Sequence, residues 1–335
     1  MPDDTGHPSE AWPAAQAYFA GNGCQGNGGI AKCRSFSTAL LLINMVSVLF
    51  RRTLSEYYSV NTAMQLSEKV TGRKEPWSGR QLIVTKLVSR YLSLLMFSHD
   101  WKTVSGLLDK VCHVSDADLT QAKLLLCTHT GDYWLTILSL AREYQGMDYD
   151  FLVPIFEEIT EKNAQNYNLI AIPGVRISFI NINAPGALIK IARYLREPNK
   201  VVAVFYDLPC YVAGNLTGAV EPVMFFNKKG HMTTGIIKLA FKRAVCMKLV
   251  SNRYNEASRK FTVTTAAVIG RQQEEINHEM VGFLEQYVKE TPWQWHFIST
   301  LDSYYHFPLI TLYRKNEKEM RLFTVLNNKY RRTYD

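Results

Sequence analysis

The stretch Lys123–Glu143, KLLLCTHTGDYWLTILSLARE, decides how this chain is read. Lys123–Thr128 is a short apolar run, which predicts a buried strand. His129-Thr130-Gly131-Asp132 follows as a polar turn, and Trp134–Glu143 then carries its apolar residues at helical spacing. A strand, a turn with histidine and glycine, and a helix together present a reactive side chain at the carboxyl end of a sheet. His129 and Asp132 stand three residues apart, so in a segment that runs straight into helix the carboxylate can reach an imidazole nitrogen. That contact would fix the tautomer and leave the other nitrogen to take a proton from a hydroxyl or amine. The plainer alternative has His129 capping a helix start, with Asp132 as a first-turn acid favoured by the helix dipole.

Outward from this unit the alternation of strand and helix continues. Leu169–Ile172 reads as a strand, and Pro185–Arg196 (PGALIKIARYLR) as an amphipathic helix with proline near its start. Val201–Tyr206 (VVAVFY) reads as a buried strand ending at Asp207. Thr234–Arg243 is an expected helix, Ala244–Val250 and Phe261–Ala267 are expected strands, and Gln272–Glu290 is a long helix with Ile276, Met280, Phe283, Leu284 and Tyr287 on one face. Upstream, Arg80–Phe97 reads as a helix with Arg80, Lys86 and Arg90 opposite its apolar side, and Leu107–Val114 as a shorter one. Phe36–Phe50, closed by Arg51 and Arg52, is fifteen residues long, short of the roughly 20 that cross a bilayer. It reads either as a buried first helix or as a helix lying on an anionic membrane surface.

The expected organisation is a loosely ordered leader over 1–35, with Pro2, Pro8, Pro13 and several glycines, and a helical region over 36–115. An α/β domain over 116–310 and a C-terminal strand or tail over 311–335 complete it. The fold class is α/β, a single domain with a mixed, largely parallel central sheet flanked by helices plus an N-terminal helical extension.

Composition narrows the function classes. With 47% apolar and 20% charged residues among 335, the chain can build a sizeable core, which excludes wholesale disorder. The net charge of +8 favours anionic partners without choosing among them. The basic residues are spread along the chain, without the clustering of a nucleic-acid module, so no nucleic-acid partner is expected. Six cysteines (Cys24, Cys33, Cys112, Cys127, Cys210, Cys246) form no CxxC pair and read as reduced and structural, with no metal expected. There is no GxxxxGK[ST] loop, no GxSxG elbow and no HExxH pair. No early charged-then-apolar leader appears, so a cytoplasmic location is expected, possibly at the cytoplasmic face of the inner membrane.

Four segments, in order, resemble the lysophospholipid and lipid A biosynthesis (late) acyltransferase family. His129-Thr130-Gly131-Asp132-Tyr133-Trp134 resembles its His-x-Gly-Asn-Trp-Glu/Asp signature, and Val201–Asp207 its strand ending in aspartate. Glu221–Gly235 resembles its Phe-Phe-Gly segment, followed by a helix with Leu239-Ala240. Leu284–Phe297 resembles its closing helix and Pro-x-Gln-Trp-x-Trp/Phe segment, here Pro292, Gln294, Trp295 and Phe297. The resemblance spans roughly residues 80–310 and implies a glycerolipid acyltransferase-like sheet.

It also implies an activity. The family's histidine acts as general base on an acceptor hydroxyl or amine, which attacks an acyl thioester. For this chain that means His129 as base and Asp132 as its orienting partner, with Gly131, Trp134, Arg176 and Asp207 as substrate-binding residues. No tightly bound cofactor is expected. The donor would be an acyl thioester on a phosphopantetheine carrier protein or coenzyme A, the partners an acyl or peptidyl carrier protein and a small-molecule or lipid acceptor.

Two departures stand out: Trp134 occupies the place of the family's acid, and Asn227 that of the Phe-Phe-Gly glycine. Asp132 takes the acid's role, a distant acid such as Asp207 supplies it, or the protein no longer catalyses. Asp207 could instead position the acceptor or cap the following turn. Glu157, Glu158 and Glu161 read as an exposed helix face that could also hold the acid. Trp293, Trp295 and His296 read as packing residues, Lys228-Lys229 as a solvated pair able to dock an acidic carrier. Alternatives to the transferase are a non-catalytic carrier- or lipid-binding protein that keeps the fold, and a thioester hydrolase.

Overall fold

The structure, a computed structural model, describes residues 36–72, 79–115, 119, 121–155, 171–209, 211–212, 215–216 and 220–305. The expected leader and tail, the first half of the Leu169–Ile172 strand, Glu157, Glu158, Glu161, Cys24, Cys33 and Cys210 lie outside these residues. Cys112, Cys127 and Cys246 are free thiols.

Strand β2 (Leu124–Cys127) has all four residues buried, as a strand covered on both faces requires. It lies in the middle of a seven-stranded mixed sheet. With β1 (Cys112–Ser115), β3 (Tyr149–Ile155), β4 (Val175–Asn181), β5 (Lys200–Phe205), β8 (Met247–Asn255) and β9 (Lys260–Ala267), the order is β1-β9-β8-β2-β5-β3-β4. Every neighbouring pair is parallel except β8 and β9. Strands β6 (Val220–Phe225) and β7 (Lys228–Thr233) form a separate hairpin. Its turn residues Phe226 and Asn227 have φ of 47° and 59°. Asparagine is among the few side chains that enter this left-handed region readily, so Asn227 does the work expected of the missing glycine.

Helices α6 (Tyr133–Arg142), α7 (Ala187–Tyr194), α8 (Gly235–Phe241) and α9 (Gln273–Glu290) fall where the periodicity placed them. Ahead of the sheet come α1 (Phe36–Leu49), α2 (Arg51–Tyr57), α3 (Val60–Thr71), α4 (Gly79–Ser98) and α5 (Trp101–Val111). Helix α4 buries Leu82, Ile83, Leu87, Val88, Tyr91, Leu92 and Met96, and packs against α1, α6 and the short turn Pro292–Gln294. That packing brings the helical extension onto the carboxyl end of the sheet. Helix α1 is split in character: Ala39, Leu40, Ile43 and Val46 are buried, whereas Leu41, Met45, Val48 and Leu49 are exposed. Among the described residues no single helix is long and apolar enough to cross a membrane; α1 and α2 together pass by composition but bend by 89° between them.

Three sequence expectations need correcting. The helix expected over Leu107–Val114 ends at Val111, and Cys112–Ser115 becomes the edge strand β1, alternating buried and exposed side chains. The strand expected from Ala244 starts at Met247, after a turn with Ala244 at φ 50°, and runs on to Asn255. Strands β3 and β4 were not expected. Tyr149–Ile155 contains Pro154, which argues against a sheet interior, and Val175–Asn181 is a half-buried edge beginning right after the Pro173-Gly174 turn.

Candidate active site

Parallel pairing sets Cys127 at the end of β2 opposite Phe205 at the end of β5. Two residues past each strand end stand His129 and Asp207, so the register alone brings them side by side. The His129 backbone N–H donates to Asp207 Oδ2 at 2.8 Å, and His129 Nδ1 lies 2.7 Å from Asp207 Oδ1. The indole N–H of Trp295 donates to the same Oδ2 at 2.9 Å. Asp207 has no exposure, and its carboxylate is held by three donors, while the Tyr304 hydroxyl donates to its backbone carbonyl. A buried acid held so firmly fixes the orientation of the imidazole and favours the tautomer with the proton on Nδ1, shared with Asp207.

The His129 ring is packed by Phe205 (centroids 4.4 Å apart) and Phe297 (5.0 Å, edge-on). The segment after α9 closes over the turn. The His296 N–H donates to the His129 carbonyl, and the Gly131 N–H to that of Gln294. Gln294 in turn clamps the backbone of Tyr254 on β8 with both ends of its amide, at 2.7 Å each.

Asp132 is not the partner of His129. It is the N-cap of α6, accepting from the Leu135 N–H at 2.6 Å and from the Ser89 hydroxyl of α4. The first N–H groups of a helix lack intrahelical partners and claim the nearest carboxylate, which here turns away from the imidazole. Burial pushes the Asp132 carboxyl up to about 6, against the lowering pull of its hydrogen bonds.

Gly131 does lie at the site. Its φ is +62°, and a Cβ there would meet the Asn252 carbonyl oxygen at 2.8 Å. Trp134 does not line the cleft beside His129; it packs edge-on against Phe179 of β4. Arg176 is also misplaced by the sequence reading. It sits near the start of β4, at the amino end of the sheet, paired with both oxygens of Asp150 at 2.8 and 2.6 Å. As for an oxyanion, the N–H of Gly131 is committed to Gln294, and those of Trp134 and Leu135 to Asp132. These three are therefore not free to stabilise one.

Trp295 was read as packing, yet it also orients Asp207. Its place in the closing Pro-x-Gln-Trp segment was the available signal. Lys86 and His296 were missed as site residues. Both line a cleft of about 220 Å³ in front of His129, together with Tyr58, Thr85 and Arg90. Lys86 Nζ donates to His296 Nδ1 at 2.9 Å. Burial pushes the Lys86 ammonium down to about 8. The Lys86 charge, then burial, then His129 hold His296 well below the usual imidazole range, so it is neutral.

The buried carboxylate of Asp207 thus stands behind His129 on adjacent parallel strands, and the histidine faces the cleft. Residues 208–301 match the family model for bacterial lipid A biosynthesis acyltransferases. That span holds Trp295 and the β6–β7 hairpin, and starts one residue after Asp207. Among solved structures, the chain has a loose likeness to the 1-acyl-sn-glycerophosphate acyltransferase of Thermotoga maritima. The two share 13% identity at a TM-score of 0.35, over 77% of this chain and 98% of that one. No curated protein matches the chain.

Proposed function

We propose that this acyltransferase moves an acyl group from a carrier-protein or coenzyme A thioester to a hydroxyl or amine, with His129 as general base. The observation that carries the reading is the pairing of His129 Nδ1 with buried Asp207, which leaves Nε2 as the proton acceptor. The acceptor O–H or N–H gives its proton to Nε2 while its oxygen or nitrogen attacks the thioester carbonyl. Collapse of the tetrahedral intermediate expels the thiolate, which takes the proton back from the imidazolium. Asp207 stabilises that imidazolium without itself taking the proton. A thioester is already activated, so a positioned acceptor and a base meet most of the demand. Retention of a complete histidine–carboxylate pair favours catalysis over a non-catalytic binding protein.

The exposed stripe Leu41, Met45, Val48 and Leu49, followed by exposed Arg51 and Arg52, supports a peripheral contact with an anionic membrane surface, at the cytoplasmic face in our reading. Flotation with anionic liposomes tests that contact, and equal flotation of Met45→Glu/Val48→Glu would refute it.

Acyl transfer is tested by intact-mass spectrometry of acyl-loaded carrier protein and acyl coenzyme A, incubated with enzyme and a panel of alcohols and amines. Loss of the acyl mass should depend on an acceptor and fall about 10²–10⁴-fold in His129→Ala. Unloading to water alone would instead make it a hydrolase. Binding of a donor that stays loaded would make it a binding protein.

A further inference from the structure

The turn that carries His129 is held from two sides, and Asp207 accounts for one of them. On the β5 side the Asp207 carboxylate takes the His129 backbone N–H and holds Nδ1. On the β8 side, Val250 accepts the Thr128 N–H with its carbonyl, and the turn then meets Asn252. Strand β2 has ended by this point, and Asn252 replaces strand pairing with contacts of its own. Its backbone N–H donates to the Thr130 hydroxyl at 3.1 Å. Its side-chain amide donates to the Asp132 carbonyl at 2.9 Å and to the Thr136 hydroxyl at 3.0 Å. Between these anchors runs Gly131, so close to Asn252 that a Cβ there would meet its carbonyl oxygen at 2.8 Å and its amide carbon at 3.1 Å. Asn252 thus contacts all three residues of the turn that follow His129.

These contacts ask for an amide. A backbone carbonyl only accepts, so the amide nitrogen must face Asp132 and Oδ1 is left on the other side. Asn252 is 1% exposed, and its Oδ1 has no hydrogen-bond partner among the described residues. An apolar side chain of the same size would avoid the cost of that idle acceptor. It could not supply the donors that stop the turn from pulling away from β8. We propose that Asn252 is a positioning residue for His129: it fixes the turn against β8, so that the ring meets Asp207 behind it and the cleft in front. Its effect on rate rests on the acyl-transfer reading; its effect on the ring does not.

The test compares Asn252→Leu with wild type in three ways. In acyl transfer, kcat should fall about 10²-fold, the scale of a catalytic group displaced by about 1 Å, with KM for donor and acceptor nearly unchanged. In proton NMR, the hydrogen-bonded Nδ1 resonance of His129, assigned by its absence from His129→Gln, should broaden through exchange with water. In a cycle with Asp207→Asn, the double variant should lose far less than the product of the two single losses, because both act on one imidazole. Single losses that multiply, or an Nδ1 resonance unchanged in Asn252→Leu, would overturn the proposal and leave Asn252 a purely structural residue. If Asn252→Leu does not fold, Thr130→Val and Thr130→Ser decide. Valine removes the hydroxyl that accepts the Asn252 N–H and should lower kcat about ten-fold, the scale of one hydrogen bond, and serine should restore most of that loss. Equal losses in both, or none in Thr130→Val, would overturn the proposal. A resonance that broadens in Asn252→Leu, with no acyl transfer by wild type, would sustain the positioning role and sink the acyl-transfer reading alone.

Discussion

Asp132 and Asp207 are both fully buried acids at the carboxyl end of the same sheet, and they serve different masters. Asp132 is three residues from His129 in the chain, yet its carboxylate is spent on the first turn of α6 and on Ser89 of α4. Asp207 is 78 residues away and holds the imidazole through Nδ1 and the backbone N–H. The difference teaches that an acid next to a helix start answers first to the unpaired N–H groups of that start. An acid delivered by a neighbouring strand has no such local claim, and is available to a histidine.

The comparison is tested most severely by Asp207→Asn. The amide keeps the volume but removes the negative charge that favours the imidazolium, and its NH₂ end would face a donor. We expect kcat to fall by about 10²-fold or more, with the fold retained by circular dichroism. A variant with near-normal kcat would show that the pair is only structural. Trp295→Phe comes next. It preserves the ring against Phe225 and Tyr304 while deleting the N–H that donates to Asp207. The loss of one hydrogen bond to a charged group predicts a fall of about ten-fold in kcat, with a shift in the pH–rate profile that mere repacking would not cause.

Asp132→Asn should separate the two acids by pH. The folded carboxyl lies near 6, above its ordinary 3.8, because burial disfavours the charged form. The stability that this group contributes is therefore complete below about 3.8 and is lost as the pH rises through about 6. Asparagine still caps the helix and does not titrate. Its melting temperature relative to wild type should thus rise between pH 4 and pH 8, with kcat falling far less than in Asp207→Asn. Parallel melting curves across that range would place the titration elsewhere.

His129 was legible because an apolar strand, a histidine and a turn glycine follow one another in the chain, and Gly131 meets the demand for a positive φ. Asp207 was legible as a strand end, but its pairing with His129 depends on β5 lying next to β2, although β3 and β4 come between them in sequence. No local pattern states that adjacency. The basic face of α4 was read correctly as lying opposite the apolar one. That Lys86 and Arg90 face a cleft is fixed by the docking of α4 onto Pro292–Gln294, a contact between distant segments. Pro154 hid β3 because proline is a poor guide to strands wherever its missing N–H is not needed.

The smallest effect is expected at the opposite end of the sheet. There Arg176 grips Asp150, while Lys200 bridges Asp150 and Glu197, and Arg193 pairs with Glu197 as well. The charges are redundant, and the Arg176 side chain is 73% exposed, so water replaces whatever one partner loses. Around Asp207 the contacts are buried, so a deletion there leaves a polar group unpaired away from solvent. Arg176→Ala should therefore leave kcat/KM unchanged for both donor and acceptor, and depress the melting temperature only slightly. A selective rise in KM for a phosphate-bearing donor would instead show that this end of the sheet meets the carrier arm, and would break the division of labour between the two ends.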